Sequence, residues 1–376
     1  MNTRNKRTFG NVRKLPSGKY QARFTTPTGE LKTAPETFTS KLEADSYLAS
    51  IRTDINRGKW INPNAGSTVL SEYVNKYLEQ RQTQLAPRTF QDYTRLSNKW
   101  INANLGSTYL GSLQLRQISP QVIKTWNKAV VEQSTATTAA YCYRILRAIL
   151  SEAVRDELIE TNPCKLRGAG HVKSKRRVPP TIEQVKELID LVPDRYKTAI
   201  LFASLSGLRR GEQFALRRKD VDLIEGTVTV ERAQIVLKNQ PLIYGEPKSE
   251  AGNRTVALPR FLITNLIEHL NLYTSPEPEA LIFTTETGTP VIKLSKWWNR
   301  ARKQLNANYT WHDLRHTAGI ITGNQGATLA ELMHRLGHST VNAAMTYQHS
   351  TKQRDKQLAL NIDNEMGNVI PFKRAI

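Results

Sequence analysis

Five short motifs in the later part of the chain constrain its fold more than anything else in it. In order they are Ser206-Gly207-Leu208-Arg209-Arg210-Gly211-Glu212, Pro247-Lys248-Ser249, His312-Asp313-Leu314-Arg315-His316, Leu336-Gly337-His338-Ser339 and Tyr347. Each is weak alone. To act together they need a fold that converges segments far apart in the chain. Their chemistry is that of a site for a phosphodiester. The transition state of such a bond adds charge on the nonbridging oxygens, so fixed cationic donors aimed there give the largest help. Arginine suits the task, because its planar fork bonds phosphate bidentately and keeps its charge. Arg209 and Arg315 are the candidates. His312 and Arg315 are three apart and share a helix face, which puts a proton-transfer group beside a phosphate clamp. Tyr347 supplies a hydroxyl, a poor nucleophile when free because its reference pKa is about 10.

The histidines also raise a metal reading, which the intervening residues reject. His312 and His316 are four apart, as are His334 and His338. Zinc proteases use that spacing as His-Glu-x-x-His, with the glutamate as base. Here Asp-Leu-Arg stands between the first pair, and an arginine inside the motif repels a cation. No metal is expected. Without a Gly-x-x-x-x-Gly-Lys-[Ser/Thr] motif, no nucleotide cofactor is expected either.

Charge narrows the partner. Among 376 residues, 54 Lys and Arg face 33 Asp and Glu, a net charge of +21. That excess attracts polyanions over several ångströms. Nucleic acid fits better than an anionic membrane, since no amphipathic Trp/Phe-rich helix or lipidation motif is evident. The longest mostly apolar run, around residues 199–208, is too short to span a bilayer and contains Ser204, Ser206 and Gly207. Two cysteines, Cys142 and Cys164, are too few for a disulfide framework or a zinc knuckle. No apolar segment follows the basic start, so no secretory signal is expected and the cytoplasm is the expected compartment.

Patterning divides the chain. Residues 1–65 read as a small module with strands at 9–12, 19–24 and 37–39 and turns at Pro16-Ser17-Gly18 and Pro27-Thr28-Gly29. Ser40 and Glu43 form a capping box for a helix carrying Leu42, Tyr47, Leu48, Ile51 and Ile55 inward. Residues 1–33 hold eight Lys/Arg against one acidic residue, and Arg4, Lys6, Arg13, Lys19 and Arg23 are spread along the strands. Such a face is either solvated or laid in a DNA groove as a three-stranded sheet. Residues 66–165 read as helical, with Leu70, Tyr73, Val74, Tyr77 and Leu78 on one face and further helices from Pro87, from Ser119-Pro120 and over 135–158. Arg88, Arg95, Lys99, Arg144 and Arg147 are candidates for phosphate contacts there. Residues 166–180 are a basic linker whose Lys173, Lys175, Arg176 and Arg177 suit a clamp around a duplex. From 181 onward, a capping box at Thr181 and Gln184 opens a mixed region with helices, strand-like stretches at 227–230, 242–244 and 254–258, and a C-terminal tail.

The motif set resembles the tyrosine recombinase (phage integrase) family. The resemblance implies a multi-domain, mainly α fold with small antiparallel sheets. It implies a small β-sheet-plus-helix N-terminal arm-type DNA-binding domain, as in temperate-phage integrases, a helical core-binding domain and a mixed α+β catalytic domain. It picks Arg209 over Arg210, gives Glu212 a structural role in holding Arg209, and makes Lys248 the general acid that protonates the departing 5′-oxygen. Lys238, earlier on the same hairpin, is the fallback. His338 donates to a nonbridging oxygen, Tyr347 attacks to give a 3′-phosphotyrosine, and His316 is structural or supporting. The implied partners are double-stranded DNA at core-type and arm-type sites, a homotetramer on that DNA, a host DNA-bending protein and a directionality factor. Two other readings stay open at this point. A type IB topoisomerase shares the tyrosine chemistry but has no need of a separate basic N-terminal module. A DNA-binding regulator without catalysis does not need the full set of six residues.

Overall fold

The computed structural model describes residues 9–27, 29–58, 65–105, 109–172, 177–247, 250–294, 296–347 and 352–366. The chain divides into two compact units, Met1–Ser174 and Lys175–Ile376.

The first unit opens with three antiparallel strands, β1 (Asn11–Lys14), β2 (Tyr20–Thr25) and β3 (Leu31–Thr33), in sheet order β1-β2-β3. Helix α1 (Lys41–Asn56) follows, started by the expected capping box of Ser40 and Glu43. Ala22 and Phe24 on one sheet face join Ala44, Leu48 and Ile51 of α1 in a small core. The register pairs Arg13 with Gln21 and Arg23 with Asn11 and Thr33, so these residues share the opposite face. Two expectations fail here. The third strand is not 37–39: Phe38 only exchanges two backbone hydrogen bonds with Tyr20, each 2.8 Å. Leu42 is not inward but 77% exposed, because the buried stripe runs through Ala44, Leu48 and Ile51.

The rest of this unit is helical: α2 (Leu70–Arg81), α3 (Pro87–Leu96), a π-helical turn at Ser97–Asn102, α4 (Pro120–Gln133) and α5 (Ala136–Arg155). Proline opens α3 and α4, where its missing N–H costs nothing. Ser119 and Thr135 cap α4 and α5 through their side chains. All five apolar residues expected inward on α2 are buried, in one core with Trp100, Trp126 and Ile145. The Trp126 indole N–H donates to the Trp100 carbonyl at 2.6 Å, which satisfies its only donor inside that core. Cys142 and Cys164 are free and buried, and burial pushes both thiols up to about 12.

The second unit contains α6 (Ile182–Asp190), α7 (Asp194–Ser206), the short α8 (Arg210–Gln213), strands β4 (Val221–Asp222), β5 (Thr227–Val230), β6 (Ala233–Ile235), β7 (Ile243–Gly245) and β8 (Arg254–Ala257), and helix α9 (Arg260–Tyr273). Then come α10 (Lys296–Gln304), α11 (Trp311–Asn324), α12 (Leu329–Leu336), α13 (Val341–Met345) and α14 (Lys352–Met366). The strands form two sheets rather than one. β4, β5 and β8 pair in that order, while β7 pairs with β6, a strand with no alternating signal strong enough to expect. Helices α7 and α11 pack around Phe202, Phe214, Phe283, Trp298 and Trp311. Among the described residues, no helix is long and apolar enough to cross a membrane, and no cluster of His, Cys, Asp and Glu is arranged to hold a metal.

Candidate active site

Two glycine stops create the cradle of the site. Gly207 ends α7 and Gly337 ends α12, both with left-handed backbone, φ 74° and 61°. A helix terminus leaves carbonyls without intrahelical partners, and the arginines take them. Arg315, on α11, donates to the Gly207 carbonyl at 2.7 Å and to that of Leu336. Arg209, the cap residue of α8, donates to the Gly337 carbonyl at 2.6 Å and to Glu212 at 2.7 Å. The two helix ends and the two guanidiniums therefore hold each other, and each fork keeps further N–H donors. Arg315 is 2% exposed. Burial, reinforced by Arg209, pushes its pKa down to about 10, which leaves it charged at neutral pH.

Glu212 does hold Arg209, and it also holds Arg254, a partner that sequence reasoning missed. Arg254 on β8 donates to Glu212 at 2.9 Å and to the Arg335 carbonyl at 3.0 Å. Both side chains of this pair are essentially buried, at 1% and 2% exposure. Burial raises the Glu212 carboxyl, but Arg254 and Arg209 outweigh it and hold the group below the usual carboxylate range. No local spacing marks Arg254, since it is brought in by strand pairing. Position 211 needs its glycine, because a Cβ there would come within 2.9 Å of the Gln234 carbonyl.

Helix α11 is set by a capping box between Thr310 and Asp313 and by the Trp311 indole N–H donating to Gln213 at 3.2 Å. Asp313 is thus a helix cap. His312 is exposed over part of its surface, yet its partial burial, with His316 and Arg315 nearby, pushes its pKa down to about 4. His338, just past α12, is also pushed down to about 4, by burial first and then by Arg315 and Arg209. Its Nδ1 is buried with no hydrogen-bond partner among the described residues. Tyr347 is 6% exposed, its ring stacked near that of His338 with centroids 6.0 Å apart. Its hydroxyl meets Nδ1 of His316 at 2.5 Å. His316, read from sequence as structural or supporting, therefore touches the tyrosine hydroxyl.

The structure thus brings Arg209, Glu212, His312, Arg315, His316, His338 and Tyr347 into one neighbourhood. Lys248, the general acid implied by the resemblance, lies outside the described residues, as do Arg4, Lys6, Lys173, Lys175 and Arg176. Lys238 is exposed in the turn between β6 and β7. Among the other basic candidates, Arg13 and Lys19 are exposed and Arg23 half-buried. Arg88 and Arg95 pair with Asp92 at 3.2 and 3.4 Å, and Lys99 lies over the Trp100 ring. Arg144 and Arg147 line a cleft of about 530 Å³ with Lys165, Arg167 and His171. Arg177 pairs with Asp313 at 3.6 Å.

Comparison with known proteins places this geometry. Residues 8–57 match the phage integrase N-terminal domain, 69–130 the N-terminal SAM-like domain of phage integrases, and 181–354 the phage integrase family itself. The putative prophage phiRv2 integrase of Mycobacterium tuberculosis is 35% identical over 367 residues, covering 95% of both chains. The integrase of Mycobacterium phage D29 is 28% identical, covering 97% of this chain and 99% of its own. The fold is shared with the Tn1549 transposon integrase bound to circular intermediate DNA, at TM-score 0.69 and 19% identity, over 78% of this chain and all of that one. It is also shared with a lambda integrase in a tetramer on a Holliday junction, at TM-score 0.55 and 18% identity, over 90% of this chain and 97% of that one. Fold and relatives define a DNA strand-exchange enzyme, a site-specific tyrosine recombinase. The chain belongs to the phage integrase family.

Proposed function

We propose that this recombinase integrates and excises phage or mobile-element DNA through a 3′-phosphotyrosine, with Tyr347 as nucleophile. The observation that carries the reading is the convergence of Tyr347 with Arg209, Arg315, His312 and His338 around two helix ends. Arg209 and Arg315 neutralise the nonbridging oxygens, and the carbonyls that grip them keep the forks preorganised. His312 and His338, neutral at pH 7 by their lowered pKa values, donate N–H bonds to the same oxygens. The unpaired Nδ1 of His338 supports this, because a buried ring nitrogen without a partner costs free energy that a bound group relieves. As the Tyr347 Oη–P bond forms, the P–O5′ bond breaks, and Lys248 supplies the proton to the departing 5′-oxygen. The phosphotyrosine conserves the bond energy, so rejoining requires no ATP and no metal.

The finer partners follow from the same reading. The N-terminal sheet presents Arg13 and Arg23 on the face opposite its core, which suits arm-type DNA, while core-type DNA meets the catalytic region. One chain then bridges two sites, and four assemble on the recombining DNA with a host bending protein and a directionality factor in the bacterial cytoplasm.

The test is a duplex nicked near the junction of the encoding element's two ends, so that cleavage loses the short fragment and traps the adduct. The chain forms a covalent adduct at that sequence in EDTA without nucleotide, and Tyr347→Phe binds the duplex but forms none. Adducts that ignore sequence identify a topoisomerase. Failure to form any adduct identifies a regulator.

A further inference from the structure

We propose that His316 is the base that takes the Tyr347 proton, and that Gly319 and Gly323 form the seat that holds the phenol against it. This rests on Tyr347 being the nucleophile. His316 Nδ1 lies 2.5 Å from the Tyr347 hydroxyl, and the two ring centroids are 5.7 Å apart. With its proton on Nε2, the imidazole presents Nδ1 as an acceptor, and the phenol donates to it.

The contact is built rather than incidental. His316, Gly319 and Gly323 lie along α11, and residues three and four apart on a helix share a face. A Cβ at Gly319 would stand 2.7 to 2.9 Å from Cε1, Cδ1 and Cζ of the Tyr347 ring. A Cβ at Gly323 would stand 2.6 Å from the Tyr347 carbonyl oxygen. Both positions are therefore open only to glycine while the tyrosine keeps this place. The ring is pressed against the helix backbone, and its hydroxyl end arrives at His316, one turn before Gly319.

The groups around His316 leave this role to it. His312, on the same helix, has its ring centroid 4.7 Å away, and the His338 ring stacks near that of Tyr347 with centroids 6.0 Å apart. Arg315 adjoins it in the chain and interacts electrostatically with Tyr347. Arg315 is a fixed cation and accepts no proton. No hydrogen bond joins His312 or His338 to the phenol among the described contacts. In the cleavage step the Tyr347 O–H bond breaks, the proton passes to His316 Nδ1, the Oη–P bond forms and the P–O5′ bond breaks. On rejoining, the His316 imidazolium returns the proton to the departing phenolate.

The test uses the full chain and the nicked duplex above, with adduct formation measured at one pH. His316→Asn keeps a side-chain oxygen near Nδ1 but supplies no comparable base, and lowers the rate by about 100-fold, a usual size for general-base catalysis. Placing 3,5-difluorotyrosine at position 347 gives a more acidic phenol that needs the base less. It recovers about tenfold or more of the His316→Asn loss, and gives no such gain beside the natural histidine. A His316→Asn rate within about threefold of the unaltered chain overturns the proposal. A slow His316→Asn chain that still binds the duplex but shows no recovery with the fluorinated phenol also overturns it, since a structural role alone does not respond to phenol acidity. Gly319→Ala, which pushes the ring off His316 without touching the imidazole, covers the case in which His316→Asn does not fold. It slows adduct formation, again with recovery by the acidic phenol, and an unchanged rate removes the seat. Absence of any adduct from the unaltered chain is a separate outcome, which refutes the tyrosine mechanism itself.

Discussion

Arg13 and Arg23 stand on the outer face of a three-stranded sheet over a core of a few side chains, whereas Arg315 is 2% exposed and gripped by carbonyls from two helix ends. Both regions are basic and both face the same polyanion in the proposed mechanism. The sheet spends little on holding its charges. Arg13 is exposed and Arg23 half-buried. Charges of that kind attract DNA over a distance, and salt screens them. The Arg209–Arg315–Glu212–Arg254 cluster buries Arg315, Glu212 and Arg254, keeps Arg209 half-buried, and fixes the direction of its charges, which is what transition-state stabilisation requires and what salt affects least. The contrast separates binding from chemistry within one chain.

Deleting residues 1–65 tests that separation most severely. Recombination of full attachment sites falls to background while cleavage of the nicked duplex stays at its original rate, because bridging two sites depends on the tether. Recombination at the original rate by the truncated chain breaks the comparison. Next in size, Arg315→Ala and Arg209→Ala each slow cleavage by about 10²–10³-fold, as the loss of one preorganised donor worth roughly 3–4 kcal/mol does, with much smaller changes in duplex affinity. A proportional loss of affinity puts these arginines in the same class as the surface set.

Glu212→Ala strands Arg254 as a buried, unpaired charge. Unfolding in urea then registers a loss of about 3–5 kcal/mol, and an unchanged midpoint shows that the network is not held by the carboxylate. A pH series sharpens the same point. His312 and His338 sit at about 4 in the folded chain against an ordinary 6.5. Between those values the unfolded chain binds more protons than the folded one, so stability falls as pH drops from about 6.5 and the histidine contribution levels off near 4. His338 gives the larger share, since His312 is exposed over part of its surface. A stability that rises on acidification over that window contradicts the arrangement. The smallest effect belongs to the sheet: Arg13→Ala with Arg23→Ala weakens binding of the isolated arm site about evenly across sequences and lowers the salt slope by about 2.

Local patterns carried some of these features and not others. The capping boxes at Ser40 and Thr181 and the buried face of α2 followed from spacing, because a helix turn brings residues three and four apart together. The inward assignment of Leu42 failed because its helix turned a different stripe to a small core. The pairing of β7 with β6, and of β8 with β5, was not legible, since strand partners are chosen by long-range register rather than by either strand's own pattern. His316 was underrated for a related reason. Its neighbours on the helix are visible in sequence, but the tyrosine that reaches it comes from 31 residues further along.

Residue types alone supply the chemistry on offer: two arginines able to clamp a phosphate, histidines beside them, a tyrosine to attack, and a charge excess that selects nucleic acid. They do so because side-chain type and net charge are properties of the residues themselves. What holds those groups, and what each can reach, depends on the folded chain. Arg209 finds the Gly337 carbonyl 128 residues away, Arg315 finds that of Gly207 108 residues away, and the phenol of Tyr347 lies against two glycines of α11. Such partners meet because the apolar faces of α7 and α11 pack together. Packing of that kind sums many weak contacts over the whole unit, so no single motif contains it.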